Sequence, residues 1–174
     1  MDANLHYVYS FWTFFKKDAK EKSLNEFQNE LQKVVDVLSL DEFWGIYKHL
    51  KRPSSLDKNN EIMLFRNNIK PYWEDSKNKG GGRVIIPLKK DAYANKLWEE
   101  LLVLFMHNPK EIRKVTGVVL NAKSTESLVS IWTKALAPNA KTEIRDYFVN
   151  ALNIPGDIKV TYKDHPVTKP NVNK

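Results

Sequence analysis

Leu128-Val129-Ser130-Ile131-Trp132 alternates with a period of two: Val129 and Ile131 fall on one face, Ser130 and Trp132 on the other. A strand of this kind offers its aliphatic face to covering helices and leaves a large aromatic on the face they do not cover. Three segments carry helical patterning. Leu40–Lys51 begins with the capping pair Ser39 and Glu42, flanked by the staple residues Leu38 and Phe43, and Arg52-Pro53 is expected to stop it. Ala92–His107 places Leu97, Leu101 and Phe105 with Trp98 and Leu102 on one face, and Pro138–Leu152 carries the stripe Ala140, Ile144, Tyr147, Phe148 and Leu152. Tyr7–Phe15, Leu31–Leu38, Ile62–Arg66, Arg83–Lys89, Val115–Ala122, Leu128–Lys134 and Ile158–Lys163 read as strands. Lys16–Lys22, Leu56–Asn60 and Trp73–Gly82 read as loops, the last ending in a flexible turn at Gly80-Gly81-Gly82. The natural packing is α+β: a mixed, largely antiparallel sheet with three helices on one face.

Composition narrows the function. The 174 residues contain no internal repeat and no change of composition, which predicts a single domain over 1–174 with polar tails at about 1–4 and 165–174. A hydrophobic content of 42% argues against global disorder. With no Cys, disulfides and thiolate metal sites are excluded and a reducing compartment fits. The four histidines, His6, His49, His107 and His165, lack metal-ligand spacing. No apolar run has membrane-spanning length and the N-terminus lacks a signal-like stretch, so a cytosolic or nuclear location is expected, without a membrane. The net charge of +7 favours an anionic partner such as a phosphate-bearing ligand. Gly80-Gly81-Gly82-Arg83 lacks the Gly-Lys-Ser/Thr ending of a phosphate-binding loop. Asp41-Glu42 and Glu99-Glu100 sit on exposed helix surfaces, and no Ser/His/Asp set has a local signature. A binding protein is expected, not an enzyme, with no metal and no cofactor.

Trp73-Glu74-Asp75-Ser76-Lys77-Asn78-Lys79-Gly80-Gly81-Gly82-Arg83 resembles the Trp-Glu-Asp…Asn-Lys…Gly-Gly-Arg/Lys signature of the mRNA cap-binding translation initiation factor 4E family. Tyr9-Ser10-Phe11-Trp12, Asp41-Glu42-Phe43-Trp44-Gly45-Ile46-Tyr47 and Ser130-Ile131-Trp132 resemble further family segments in the same order, over roughly Tyr7 to Thr168. The resemblance implies a curved, mostly antiparallel sheet of about eight strands backed by three helices, with the 7-methylguanosine cap on the concave face. That would explain why Trp132 points away from the helices.

The chemistry of the cap suits these residue types. Methylation at N7 makes guanine a cation and removes the N7 acceptor, so the usual Arg readout is lost and aromatic faces are favoured. Each stacking face is worth ~1–3 kcal/mol. On the resemblance, Trp73 supplies one face and Phe27, in Phe27-Gln28-Asn29-Glu30-Leu31, stands where the family's second Trp is found. Phe is the smaller and less electron-rich ring, so cap affinity somewhat below that of a two-Trp member is expected. Glu74 would accept from the guanine N1–H and N2 amine, and Trp132 would touch the methyl group. Arg83 and Lys123 are the phosphate candidates. Thr125 and Leu128 stand where two further lysines are common, and Lys169 is a compensating candidate.

The resemblance also implies a convex helical face that binds a partner helix of Tyr-x-x-x-x-Leu-apolar type, carried by a scaffold initiation factor or a regulatory protein. Leu40, Trp44, Glu100 and Val103 are its expected contacts, Leu40 and Trp44 being one turn apart. Glu99 and His107 depart from the family's usual apolar residue and Gly. A cap-binding repressor of the divergent homologous branch, or an interaction module without cap binding, are the alternative roles.

Overall fold

The computed structural model describes residues 4–15, 31–107 and 109–166. Seven strands form one antiparallel sheet among the described residues: β1 Asn4–Phe15, β2 Leu31–Ser39, β3 Asn60–Arg66, β4 Gly82–Lys89, β5 Val115–Ala122, β6 Glu126–Thr133 and β7 Thr161–Asp164. Their order is β2-β1-β3-β5-β6-β4-β7, and the sheet is curved and open. Among the described residues three α-helices accompany it: α1 Leu40–Tyr47, α2 Ala92–His107 and α3 Pro138–Ala151. The expected α+β architecture is present, with seven described strands where the resemblance implied about eight.

The period-two patterning divides the apolar residues between the two faces of the sheet. Tyr9 and Phe11 of β1, Ile62 and Leu64 of β3, and Val129 and Ile131 of β6 join Leu97, Trp98, Leu101 and Phe105 of α2 in the main core. Their neighbours Trp12, Phe14, Met63, Phe65 and Trp132 form a second cluster, with Leu31, Ile69 and Val119. The Tyr9 hydroxyl donates to the Phe105 carbonyl at 3.1 Å, tying β1 to α2.

The ends of elements follow local chemistry. Ser39 caps α1, its hydroxyl accepting from Glu42 N–H at 3.2 Å, while the Glu42 carboxylate accepts from Leu38 N–H at 2.7 Å. The helix stops at Tyr47, earlier than the expected Lys51. His49 and Leu50 N–H bond to the Ile46 and Tyr47 carbonyls three residues back, so the chain tightens out of the α-helix before Arg52-Pro53 is reached. The tail predicted from 165 begins later than that, because His165 is only 6% exposed and its N–H donates to the Gly81 carbonyl at 2.9 Å.

Candidate functional site

The segment between β3 and β4 is a succession of turns held by polar side chains. Asn78, wholly buried, donates from Nδ2 to the carbonyls of Lys70 at 2.9 Å and Tyr72 at 2.8 Å. The Asp75 carboxylate accepts from the backbone N–H of Lys70 and of Lys77 at 3.1 and 2.9 Å. The glycine run at its end is not a loose hinge. Gly80 has φ +72°, a left-handed conformation suited to Gly, and a Cβ on Gly81 would collide with the Thr133 carbonyl oxygen. Gly82 already belongs to β4, paired with Thr133. These constraints fix the direction in which Trp73 and Glu74 leave the chain.

Both side chains line a pocket of about 140 Å³ on the helix-free face. Its other walls are Pro71 and Tyr72 from the same turns, Glu61 and Met63 of β3, Val119 of β5, Trp132 of β6 and Arg83 of β4. Arg83 and Trp132 are directly opposed in the β4–β6 ladder. Both carboxylate oxygens of Glu74 are shielded from solvent without a hydrogen-bond partner, and so is the Trp132 indole nitrogen. Buried polar atoms of this kind are normally satisfied by protein or water, and the two residues that carry these three atoms both line the pocket.

Trp132 faces away from the helices, as its alternation predicts. It is buried to 6% exposure by Phe65, edge-on at 5.5 Å, and by His165, at 4.3 Å between ring centroids. Burial holds His165 neutral, its pKa pushed down to about 4, with the Arg83 charge acting in the same direction.

Glu61 was not singled out from the sequence. Its place in the period of two with Met63 and Phe65 was the available signal. Its carboxylate accepts from the Asn121 amide across the β3–β5 pair. Desolvation raises its pKa, against the lowering effects of the Asn121 hydrogen bond and of the Lys123 and Arg83 charges. Arg83 is half-buried, and desolvation lowers its pKa while Glu61 raises it.

The expected site residues are therefore only partly assembled in this pocket. Trp73, Glu74, Arg83 and Trp132 meet there. Lys123 is exposed at the β5–β6 turn, where its N–H bonds to the Glu126 carbonyl at 2.8 Å, and it does not line the pocket. Phe27 and Lys169 lie outside the described residues. No group of three or more His, Asp or Glu side chains able to hold a metal occurs among the described residues. No described helix is long and apolar enough to cross a membrane.

On the helical side, Trp44 is 42% and Val103 39% exposed, while Leu40 is half-buried. Trp44 stands edge-on to Phe43 and Tyr47, with ring centroids 4.9 and 5.6 Å apart. Glu100 is exposed and pairs with Lys96 at 3.6 Å. The unusual Glu99 pairs with Arg52 at 3.7 Å, and the Arg52 guanidinium lies 3.9 Å from the centroid of the Tyr47 ring. The acid thus helps connect the end of α1 to α2.

Fold and pocket together define a curved, open antiparallel sheet whose helix-free face carries an aromatic and acidic pocket. The chain belongs to the eukaryotic initiation factor 4E family, whose model matches residues 4–174. It is 32% identical over 141 residues to the wheat (Triticum aestivum) eukaryotic translation initiation factor NCBP, a match covering 80% of this chain and 60% of the relative. To the Caenorhabditis elegans eukaryotic translation initiation factor 4E-4 it is 29% identical over 166 residues, covering 94% of this chain and 77% of that one. Matched regions span 60% and 62% of the wheat and rice NCBP relatives. Among solved structures, the fold is similar to Ascaris suum eIF4E-3 in complex with m7G cap, with a TM-score of 0.85 and 24% identity over 100% of this chain and 96% of that one. It is also similar to C. elegans eIF4E-3 in complex with the 4E-binding protein Mextli and a cap analogue, with a TM-score of 0.84 and 24% identity over 95% and 94%.

Proposed function

We propose that this protein is a single cap-binding domain that holds the 7-methylguanosine cap of mRNA in its concave pocket during translation initiation, and a partner helix on its convex face. The observation that carries this reading is the Glu74 carboxylate, with two shielded and unpartnered oxygens beside the rings of Trp73 and Trp132. Two acceptors on one carboxylate match the adjacent N1–H and N2 donors of guanine, and the cationic ring strengthens both bonds. Trp73 stacks on the base with Phe27 as the opposing ring, Trp132 contacts the methyl group, and Arg83 and Lys123 take the phosphates. Unmethylated guanine keeps its hydrogen-bonding edge but loses the cation–aromatic attraction, and that difference sets selectivity.

Only binding is required of these groups: the protein carries out no reaction on the cap and works in the cytoplasm, where capped mRNA is translated. Exposed Trp44 and Val103, with Leu40, anchor the partner helix. The cap-bound and Mextli-bound forms of the similar worm proteins support both halves of the proposal. The test is retention on immobilised 7-methylguanosine triphosphate. Wild type is held, whereas Trp73→Ala and Glu74→Ala flow through, and elution of wild type overturns the proposal. Trp44→Ala keeps retention while losing a Tyr-x-x-x-x-Leu-apolar peptide helix; a peptide affinity equal to wild type removes the convex-face half.

A further inference from the structure

A second groove, of about 320 Å³, opens on the other side of the turns that carry Trp73 and Glu74. Four cations from four separate segments line it: Arg66 at the end of β3, Lys77 in the turns, Arg113 just before β5 and Lys134 just after β6. Arg66 is 3% exposed, donates to the Arg113 carbonyl, and lies 5.0 Å from the centroid of the Tyr7 ring, which also lines the groove. Arg113 and Lys134 are exposed, and the two segments are joined where Lys134 N–H donates to the Lys114 carbonyl at 2.9 Å. The single acid in the lining, Asp75, already accepts two backbone N–H bonds. Three exposed cations, Lys77, Arg113 and Lys134, with the buried and engaged Arg66 behind them, face one carboxylate that is itself engaged.

We propose that this groove binds the phosphate backbone of single-stranded RNA, at a site separate from the cap pocket. Charge complementarity selects a polyanion. A protein partner would need an apolar anchor pocket, whereas the lining here is polar apart from Tyr7 and Ile69, and Ile69 is buried. Side-chain amides of Asn67 and Asn68 add neutral donors, and the Tyr7 ring offers a stacking surface. The choice of RNA as the polyanion rests on the function proposed above, but the groove shares none of its lining residues with the cap pocket.

The test uses the full chain and a short uncapped RNA, read by fluorescence anisotropy across a salt series, alongside quenching of Trp fluorescence by 7-methylguanosine triphosphate. Wild type binds the RNA with a steep salt dependence. Arg113→Glu with Lys134→Glu weakens it by about tenfold or more, and Arg113→Gln with Lys134→Gln lowers the salt slope by about 1.4, the ~0.7 per contact of single strands taken twice. Quenching by the cap nucleotide is unchanged in both. The groove proposal fails if wild type does not bind the RNA at low salt, if both double variants bind as wild type does, or if an acidic or phosphorylated peptide binds there and RNA does not. Loss of cap quenching in wild type, with RNA binding intact, would instead overturn the cap reading alone.

Discussion

The Glu74 carboxylate and the His165 imidazole both carry polar atoms shielded from solvent without hydrogen-bond partners. Glu74 is set to receive donors, as proposed above. His165 packs against Trp132, and its burial favours the uncharged ring, with a pKa of about 4 against an ordinary 6.5. A depressed imidazole contributes stability in full above pH 6.5, and that contribution is lost as pH falls through 6.5 towards 4. Between pH 7 and 5 the loss is about 2 kcal/mol, or roughly 4–8 °C in Tm. Thermal unfolding at the two pH values measures it. The wild-type Tm falls by that much more than that of His165→Phe, which keeps a ring against Trp132 and cannot titrate; equal falls would contradict the assignment. From the sequence, His165 marked the start of a polar tail. Nothing local to it indicated that the chain after β7 lies across the back of Trp132.

At the scale of elements, α1 is short, and its stability depends on its N-terminus. Ser39 accepts from Glu42 N–H, and Phe43 and Tyr47 bury the inner face while Trp44 stays outside. Ser39→Ala removes the cap and costs about 1 kcal/mol, whereas Ser39→Asp restores most of it. Urea denaturation midpoints distinguish the two, and identical midpoints would mean that tertiary packing alone holds the helix. This start was readable from the Ser39/Glu42 pair, because a cap is made by residues three apart. The end was less readable: the expected Pro53 stop lies beyond the point where bonds to residues three back had already closed the helix. Likewise α2 matched its periodic stripe over Ala92–His107, since sixteen residues of one period leave little ambiguity.

For the molecule as a whole, the sheet is the partition between two chemistries, a sealed core under the helices and an open face with the pocket. Gly117 lies at its centre, paired with Phe65 of β3 and Trp132 of β6. A Cβ there would enter the Phe65 ring, which itself packs edge-on against Trp132. Gly117→Ala therefore costs about 1–3 kcal/mol through overpacking and displaces the pocket wall. A lowered urea midpoint together with a shifted Trp emission maximum is the expected result, and an unchanged midpoint would show that the ring can yield.

Sequence alone determined the α+β class, the helix and strand segments to within a few residues, the helix-free orientation of Trp132 and the prominence of Trp73-Glu74. The first three depend on periodicity or capping, which are local properties, and the prominence of Trp73-Glu74 came from the resemblance of Trp73–Arg83 to the family's signature. Only the tertiary structure decided that Glu61 and Arg83 line the same pocket as Trp73, that Lys123 stands outside it, that Glu99 is engaged by Arg52, and that Arg66, Lys77, Arg113 and Lys134 converge on one groove. Those groups come from segments far apart in the chain. Which of them meet is set by the curvature of the sheet and the order of its strands, and no local spacing encodes either.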